Sequence, residues 1–385
     1  MSRLADEVRK TFASMHVSRN FRLFFVGQLI SVTGTWVNWT AGAVLVLRLT
    51  DSGIALGVES ALLFLPVLFF GVWAGSLADR FDKRRILVWS NAGYAVLAAV
   101  QFALVATDIV QIWMVFVIAF LTGLILAIEP PTRQSFYVEL VGDQHITNAI
   151  SLNSAVFTGT RVLGGAIAGT MIDAFGLWSP FLLDAVSYVG VIVALLAMRI
   201  DELYVQRKAE REPGLVRAGL RYVWNTQELR VPLVVMVLVY LFTFNFSVLI
   251  PLHAYQTYEG SGMEIGWMYA ALGLGAFLGA IGMANRQPEP TVRRLAVFSA
   301  AFGVFLAAAG LAPTFVLALI TIVPVGYVSM LFAITANSTL QRSTRAEMRG
   351  RVMALYTTIF LGSTAIGGPI TGWVAETWTP ASPSW

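Results

Sequence analysis

Residues 75–85 read Gly-Ser-Leu-Ala-Asp-Arg-Phe-Asp-Lys-Arg-Arg and lie between two long apolar stretches. The block is short, and it ends in three consecutive cations, Lys83, Arg84 and Arg85. Short loops rich in Lys and Arg stay on the cytoplasmic side of a membrane. The block therefore indicates a cytoplasmic loop between two membrane-spanning helices.

The composition independently requires a membrane. Apolar residues make up 57% of the 385-residue chain, charged residues make up 12%, and the mean hydropathy is +0.72. A soluble domain carries about 25% charged residues. A chain with so little charge cannot cover itself with polar surface in water, which excludes a soluble globular protein.

Continuous apolar stretches recur along the whole chain. At about 1.5 Å per helical residue, each is long enough to cross a hydrocarbon core of about 30 Å. The runs do not alternate, and lipid requires each segment to satisfy its own backbone groups, so we predict helices and not strands. The first run is too long for a signal-peptide core, so we expect it to remain as an anchor. The eleven predicted spans are 21–47, 54–78, 86–106, 109–131, 149–172, 177–198, 231–252, 264–284, 294–311, 313–336 and 351–375.

The distribution of Lys and Arg predicts the orientation. If the N-terminus is cytoplasmic, only Arg48 and Arg161 fall outside the cytoplasmic segments, while Asp51, Asp108 and Asp173 fall in outer loops. This bias predicts a multi-pass protein of the plasma membrane with a cytoplasmic N-terminus. The net charge of +4 therefore reflects topology and gives no support to a nucleic-acid partner.

A glycine-rich pattern occurs twice. Residues 159–169 and 362–372 share four glycines and an isoleucine at the same spacing. The copies fall on the fifth and eleventh spans, which two parallel six-helix halves would explain. Small residues also let helices pack closely. The predicted packing positions are Gly159, Gly164, Gly165, Gly169, Gly362, Gly367, Gly368, Pro369 and Gly372.

The chain resembles a known family of carriers. Gly75, the Asp79-Arg80 pair and the following basic cluster are similar to the loop between the second and third helices of major facilitator superfamily transporters. Over residues 18–375 the chain also resembles the branch that includes enterobactin exporters and drug and macrolide efflux proteins. The residues that carry this second resemblance are Arg133, Gln134, Ser135, Phe136, Glu139, Leu140, Asn148, Ala149, 151–153, Arg161, Gly164, Gly165, Gly169, Gln341 and 349–354.

The resemblance implies an all-α integral membrane protein of two parallel-repeat six-helix bundles. We expect an N-terminal bundle in residues 1–198, a cytoplasmic connector in 199–230 and a C-terminal bundle in 231–385. Apolar positions in the connector predict a short surface helix, with a plain linker as the alternative. Asp82 replaces a glycine of the family pattern, and Gly164-Gly165 replaces a Gly-Pro pair. Family members have twelve spans, so we expect this chain to be a fragment or to have lost its last helix.

The charged block predicts a gate at the inner surface. Asp79 lies where it can meet helix N-termini or the Arg349 region of the other half. Such contacts would hold the inner side closed in one state and break in the other. The alternative is a basic anchor that only fixes topology, which leaves Asp79 unexplained. The predicted gate residues are Gly75, Asp79, Arg80, Lys83, Arg84, Arg85, Arg349 and Arg351.

Charged residues within the spans predict proton coupling. Arg161 is the only Arg predicted inside a span and away from its ends, and insertion of an Arg costs about 2.5–3.5 kcal/mol near the bilayer centre. Glu129 and Arg133, four residues apart, are its candidate neighbours, and snorkelling to the surface is the alternative. Embedded carboxylates toward the outer side could bind and release protons, or could simply be satisfied by neighbouring polar groups. The predicted coupling residues are Glu59, Glu129, Arg161 and Asp184.

The resemblance also implies a cargo path between the halves, lined by the first, fourth, seventh and tenth spans. Polar and aromatic residues there would suit an amphipathic, partly aromatic organic molecule. Aromatic residues in spans more often serve packing or interface belts, which is the alternative. The candidates are Gln28, Trp36, Asn38, Tyr240, Asn245, Tyr327 and Asn337.

Several chemistries find no support in the sequence. The chain has no phosphate-loop motif, no cysteine and three scattered histidines, so we expect no ATPase, cofactor, metal site or enzyme activity. We expect a monomeric, proton-coupled exporter of a small organic molecule, a drug or siderophore, working by alternating access in a bacterial inner membrane. An importer of the same fold and a non-transporting membrane partner or sensor are the alternatives.

Overall fold

The structure, a computed structural model, describes residues 13–142, 144–204, 215–258, 262–286, 291–345 and 348–378, together with Gly260 and Glu289. Within these ranges the side chains at 72–80 and 349–351 are among those outside the description.

Seven helices form the first part of the chain, which we call the N-terminal helices. Among those that begin at capping side chains are the second and the fourth. The Ser18 hydroxyl accepts a hydrogen bond of 3.0 Å from the Phe21 amide, and the Asp82 carboxylate accepts one of 3.1 Å from the Arg85 amide. Asp82, the departure from the family pattern, is thus a helix cap. The helices are α1 (Ala13–Val17), α2 (Arg19–Thr50), α3 (Gly53–Arg80), α4 (Lys83–Ala106), α5 (Ile112–Val141), α6 (Ile146–Phe175) and α7 (Ser179–Leu196).

A 3-10 turn at Ile200–Glu202 leads toward the second set, which we call the C-terminal helices. Its first member lies inside the predicted connector, where a surface helix was expected. The helices are α8 (Leu215–Asn225), α9 (Gln227–Phe242), α10 (Phe246–Tyr258), α11 (Gly262–Arg286), α12 (Val292–Gly310), α13 (Phe315–Ser343) and α14 (Arg349–Trp378).

The all-helical membrane prediction is confirmed. In the described part of the chain, ten helical stretches are long and apolar enough to cross a membrane. The eleventh predicted span, 351–375, lies within the 30-residue helix α14. The fourth span was predicted to end at Pro131, but α5 continues to Val141 with both prolines inside it. Beyond Pro131, Phe136, Leu140 and Val141 are buried in a cluster with Phe24 and Leu87, so packing supports the helix there.

The seventh predicted span was wrong in one respect, because it is two helices and not one. Residues 243–245 interrupt it between α9 and α10. The Asn245 side chain donates a hydrogen bond of 2.6 Å to the Leu241 carbonyl, and the Val248 amide donates one of 3.0 Å to the Asn245 carbonyl. These two backbone groups at the break are therefore hydrogen-bonded inside the protein, as an apolar environment demands.

Buried side chains form three clusters, one at one end of the helices and two at the other. We call the end near Lys83–Arg85 and Arg199 the basic end, and the end near Ser52 and Trp178 the opposite end. At the opposite end, one cluster joins residues of α2, such as Val44, to residues of α10 and α11. At the basic end, the N-terminal and C-terminal helices form separate clusters. Among the described residues, the buried apolar side chains of the two sets therefore pack in one joint cluster at the opposite end and in two separate clusters at the basic end.

The two sets meet mainly through two helix pairs, α3 with α14 and α6 with α11. The glycine repeat lies at both pairs. A Cβ atom on Gly169 would lie 2.5 Å from the Met263 Cα, and one on Gly372 would lie 2.1 Å from the Gly53 carbonyl oxygen. Real Cβ atoms do not approach so closely, so each glycine lets two helix backbones touch.

The neighbouring repeat positions show the same correspondence. A Cβ atom on Gly266 would lie 2.2 Å from the Gly165 carbonyl oxygen. A Cβ atom on Gly57 would lie 2.5 Å from the Gly368 carbonyl oxygen and 2.7 Å from the Pro369 Cα.

Two further repeat positions pack within a set. A Cβ on Gly164 would meet Trp36 Cβ at 2.4 Å, and one on Gly367 would meet the Leu241 carbonyl oxygen at 2.2 Å. The first position of the repeat differs between the copies, because Gly362 packs on Leu68 whereas Gly159 has nothing within 4 Å.

Candidate functional site

A cavity of about 420 Å³ lies among the N-terminal helices. Helices α2 to α7 form its wall, and Leu361 of α14 is the one described lining residue from the C-terminal helices. Small-molecule sites have volumes of about 300–1,000 Å³. The cavity is therefore large enough for an organic ligand. Its polar lining includes Gln28, Asn38, Asn91, Glu129, Arg133 and Asp184.

Asp184 of α7 lies at the cavity wall with 3% of its surface exposed. Its Oδ2 accepts a hydrogen bond of 2.8 Å from the Asn38 amide of α2. Its Oδ1 is buried and has no hydrogen-bond partner among the described residues. A Cβ on Gly34 would lie 2.8 Å from this Oδ1 and 2.4 Å from Ser187 Oγ. Gly34 therefore leaves the room in which the carboxylate sits.

Glu129 and Arg133 form an ion pair one helical turn apart on α5. Arg133 Nε lies 2.9 Å from Glu129 Oε1, and both side chains are largely buried. Arg133 also donates a hydrogen bond of 3.2 Å to Asn153 Oδ1 of α6, which accepts a second one of 2.6 Å from the Tyr137 hydroxyl. The pair is thus neutralised internally and held in place by α6.

Aromatic rings form another part of the wall. Tyr94 and Tyr188 stack with their ring centroids 5.3 Å apart. The Tyr188 hydroxyl shares a hydrogen bond of 3.0 Å with the Thr35 hydroxyl. Trp39 and Phe64 meet edge to face at 6.4 Å across α2 and α3. These rings give the cavity flat apolar faces beside its charged groups.

Glu59 lies beside this cavity and not in it. It lines a small space of about 40 Å³ among α2, α3, α4 and α5. The two spaces adjoin, because they share the lining residues Asn38, Trp39, Gln101, Ile118 and Thr122. The two embedded carboxylates, Glu59 and Asp184, therefore flank the same stretch of α2.

Arg161 lies away from the neighbours suggested for it by the sequence. Glu129 and Arg133 pair with each other, whereas the Arg161 guanidinium lies over the Trp36 ring, 5.4 Å from its centroid. A cation over an aromatic face is an attractive arrangement. Arg161 Nε is buried without a hydrogen-bond partner among the described residues.

The predicted cargo-path residues divide between two environments. Gln28 and Asn38 line the cavity. Trp36 packs on Arg161, and the fully buried Tyr240 meets Phe244 edge to face at 4.7 Å.

The remaining path candidates contact other residues of the C-terminal helices. Asn245 donates to Thr371 Oγ1 at 3.2 Å, and Asn337 accepts from Gln341 at 2.6 Å. Tyr327 packs against α11, because a Cβ atom on Gly279 of that helix would lie 2.6 Å from the Tyr327 carbonyl oxygen. Sequence reasoning expected a path shared by both halves, but the polar cavity belongs almost wholly to one.

At the basic end, the structure gives partners to the predicted gate cations that it describes. Lys83 forms an ion pair with Glu139 at the end of α5. Arg84 Nε donates a hydrogen bond of 2.6 Å to the Leu195 carbonyl, and Arg85 lies 3.6 Å from Asp82. The side chains of Asp79, Arg80, Arg349 and Arg351, and the surroundings of Gly75, lie outside the described residues.

Sequence reasoning missed four residues of these sites. Gly34, Tyr94 and Tyr188 were not singled out, because a glycine or tyrosine in an apolar span carries no pattern that sets it apart. Glu139 was noted only as part of the family resemblance. Its distance of 56 residues from Lys83 hides their pairing.

Comparison with known proteins was made on the whole chain. The family profile described as "Transmembrane secretion effector" matches residues 10–382. The staphyloferrin A transporter of Staphylococcus aureus is 25% identical, with 69% of each chain covered. The multidrug efflux pump Tap of Mycolicibacterium fortuitum is 27% identical, covering 92% of this chain and 88% of Tap.

Among solved structures, a bacterial homologue of the human lysosomal transporter Spinster in an inward-facing, unoccupied conformation has a TM-score of 0.74. It is 15% identical, and the match covers 94% of this chain and 83% of the homologue, a likeness of fold alone.

Proposed function

The chain belongs to the Transmembrane secretion effector family of major facilitator transporters, and from that premise we propose that it exports a small organic molecule in exchange for protons. The observation that carries the proposal is the polar cavity of about 420 Å³, with its buried carboxylate and aromatic wall. Two relatives bear the names of a siderophore transporter and a multidrug efflux pump, which supports an organic cargo.

The direction of transport rests on orientation. The basic end carries the Lys and Arg residues that favour the cytoplasmic side. With this orientation, the basic end, where the described apolar side chains form two separate clusters, would open toward the cytoplasm, and the packed opposite end would close the outer side. An exporter takes up its cargo in this state. The proposed organisation is an N-terminal bundle in residues 1–198, a cytoplasmic connector in 199–230 and a C-terminal bundle in 231–385.

Glu59 and Asp184 are the proposed proton carriers. An ionised carboxylate is costly inside a membrane protein, so each has reason to exchange a proton as its surroundings change between open and closed. Glu129 is a further candidate, because a proton on Glu129 would break its ion pair with Arg133. Arg161 adds a fixed positive charge beside Trp36 that could respond to these changes.

A gate at the basic end is the proposed role of Asp79 and its basic neighbours. In the outward-facing state, Asp79 and Arg80 of α3 would meet the start of α14 at Arg349 and Arg351, and Lys83 to Arg85 would hold the loop. Asp79→Asn should then lose transport while expression and orientation are kept. Transport at the wild-type rate by that variant would refute the gate role of Asp79.

Efflux from cells tests the exporter directly. A host that lacks its own drug pumps, expressing the full chain, should accumulate less of a transported drug than a host with the empty vector, and an uncoupler should abolish the difference. Higher accumulation would identify an importer. No difference across a broad panel of drugs and siderophores would favour a membrane partner or sensor that does not transport.

Proteoliposomes test the coupling. An imposed pH gradient should drive uptake of cargo by the wild-type protein, and Glu59→Gln or Asp184→Asn should remove the dependence on the gradient. Asp173→Asn is the matched control, because Asp173 is an exposed carboxylate at the end of α6. Unchanged dependence in both test variants would exclude these residues as the proton carriers.

A further inference from the structure

The charges that line the cavity do not balance. Among its described lining residues the charged side chains are Glu129, Arg133 and Asp184. Glu129 and Arg133 neutralise each other at 2.9 Å. When Asp184 is ionised, it is therefore one carboxylate in excess, in a space with no second cation among the described lining residues.

The Asp184 carboxylate is only partly hydrogen-bonded among the described residues. One carboxylate oxygen accepts the Asn38 amide at 2.8 Å, and the other is buried without a partner among the described residues. The nearby Ser187 hydroxyl is directed to the Asp184 backbone carbonyl, at 2.7 Å. A buried carboxylate that lacks a positive partner is costly, whereas a paired one is not. A cation at Oδ1 would remove this cost.

Aromatic rings adjoin the same carboxylate. Tyr188 lies one helical turn beyond Asp184 on α7, and Tyr94 of α4 stacks on it at 5.3 Å. Tyr94, Tyr188 and Asp184 line the same cavity. Aromatic faces attract organic cations, and the attraction grows when both groups are removed from water. Carboxylate and ring faces together favour a ligand that carries its positive charge on an apolar body.

We propose that the cavity of the N-terminal helices is a binding site for organic monocations, with the positive charge of the ligand facing Asp184 and its apolar groups against Tyr94 and Tyr188. As an assignment of cargo class, this inference rests on the proposed export function. The site excludes organic anions of the same shape, because an anion would add a second uncompensated negative charge beside Asp184.

A pair of ligands that differ only in the sign of charge tests the site. Tetraphenylphosphonium and tetraphenylborate have the same tetrahedral arrangement of four phenyl rings and opposite charges. Equilibrium dialysis of the purified full chain in detergent, with protein-free micelles subtracted, should give saturable binding of tetraphenylphosphonium. Tetraphenylborate should neither bind saturably nor displace it. Equal binding of the two ions would overturn the proposal.

Variants locate the binding at Asp184. Asp184→Asn should weaken tetraphenylphosphonium binding by about tenfold or more, the effect of removing one partner of a buried charge pair. Asp173→Asn, the exposed carboxylate at the end of α6, should bind as the wild type does. Tyr94→Leu removes a ring face but no charge and should weaken binding several-fold, whereas Tyr94→Phe should retain it. A Tyr94→Leu protein that binds like the wild type would contradict the site even if Asp184→Asn failed to fold.

The outcomes separate this inference from the export function. If the protein binds tetraphenylphosphonium at Asp184 but exports nothing, the cation site stands and the export function is refuted. If the wild type exports a neutral drug, and wild type and Asp184→Asn bind tetraphenylphosphonium equally well, the export function stands and the cation site is refuted.

Discussion

Glu376, near the end of α14, accepts a hydrogen bond of 2.5 Å from the hydroxyl of Ser52, which immediately precedes α3. The same carboxylate oxygen accepts the Ile54 backbone amide at 2.9 Å. The N-terminus of α3 is therefore capped by a residue 322 positions away, on the other side of the contact between the two sets of helices. A negative charge at a helix N-terminus is also favourable toward the helix dipole.

Removing this cap should loosen the opposite end. A cap or a charge at a helix N-terminus contributes about 1 kcal/mol, so Glu376→Ala should raise the ratio of open to closed opposite ends about fivefold. The chain has no cysteine, so a single Ala43→Cys reporter can be labelled cleanly. Ala43 is 5% exposed within the cluster at the opposite end, and its maleimide labelling in detergent should accelerate in Glu376→Ala. Glu376→Gln keeps an accepting oxygen, so its labelling rate should lie between those of the wild type and Glu376→Ala. Equal rates in all three proteins would refute the cap's role.

The glycine contacts predict a contrast between two alanine substitutions. Gly372→Ala places a Cβ where the Gly53 carbonyl oxygen lies 2.1 Å away, which should cost about 1–3 kcal/mol as overpacking. Gly159→Ala is the matched control on the other copy of the repeat, where nothing lies within 4 Å. Thermal unfolding in detergent should show a lower midpoint for Gly372→Ala and an equal or slightly higher one for Gly159→Ala. Identical midpoints would contradict the close approach of α3 and α14.

The buried ion pair predicts a large effect from losing one partner. Arg133→Ala leaves Glu129 buried and unpaired, a change that costs about 3–5 kcal/mol in proteins. The double variant Glu129→Gln with Arg133→Ala should recover much of the lost thermal stability, because no unpaired charge remains. Arg199→Ala breaks an exposed pair with Glu202 at 3.0 Å and should have little effect. If Arg133→Ala were as stable as Arg199→Ala, the pair would have no structural role.

Exchanging the charges at the basic end should restore what each single change removes. Lys83 and Glu139 face each other with side chains 14% and 19% exposed. Lys83→Glu and Glu139→Lys each place like charges together and should lower both folded yield and transport. The double exchange should recover both, in the manner of a double-mutant cycle. A double variant no better than the worse single one would show that position, and not pairing, matters.

The sequence predicted the helices well because continuous apolar length is a local property. It could not predict the break at 243–245, because Asn245 satisfies the freed Leu241 carbonyl only in the folded arrangement. The glycine repeat correctly drew attention to α6 and α14. It gave no sign that Gly53 and Met263 were the facing residues, since those lie on other helices.

Site residues were harder to predict for the same reason. Asp184 and Asn38 stood out individually as polar groups in spans, but their hydrogen bond joins residues 146 positions apart. Glu129 and Arg133 were suggested as neighbours of Arg161 from their spacing, and the spacing in fact describes their own ion pair. Local periodicity finds partners within one helix, whereas partners on separate helices need the packed structure.

The one-sided wall of the cavity has a thermodynamic consequence. A ligand with equal affinity for two conformations cannot shift the balance between them, however tightly it binds. If the N-terminal helices move as a rigid unit, cargo held by them alone has nearly the same binding free energy whichever side is open. Cargo alone then cannot drive reorientation. The free energy for reorientation must then come from a change in protonation or from contact of the cargo with Leu361, the single described wall residue that the C-terminal helices contribute.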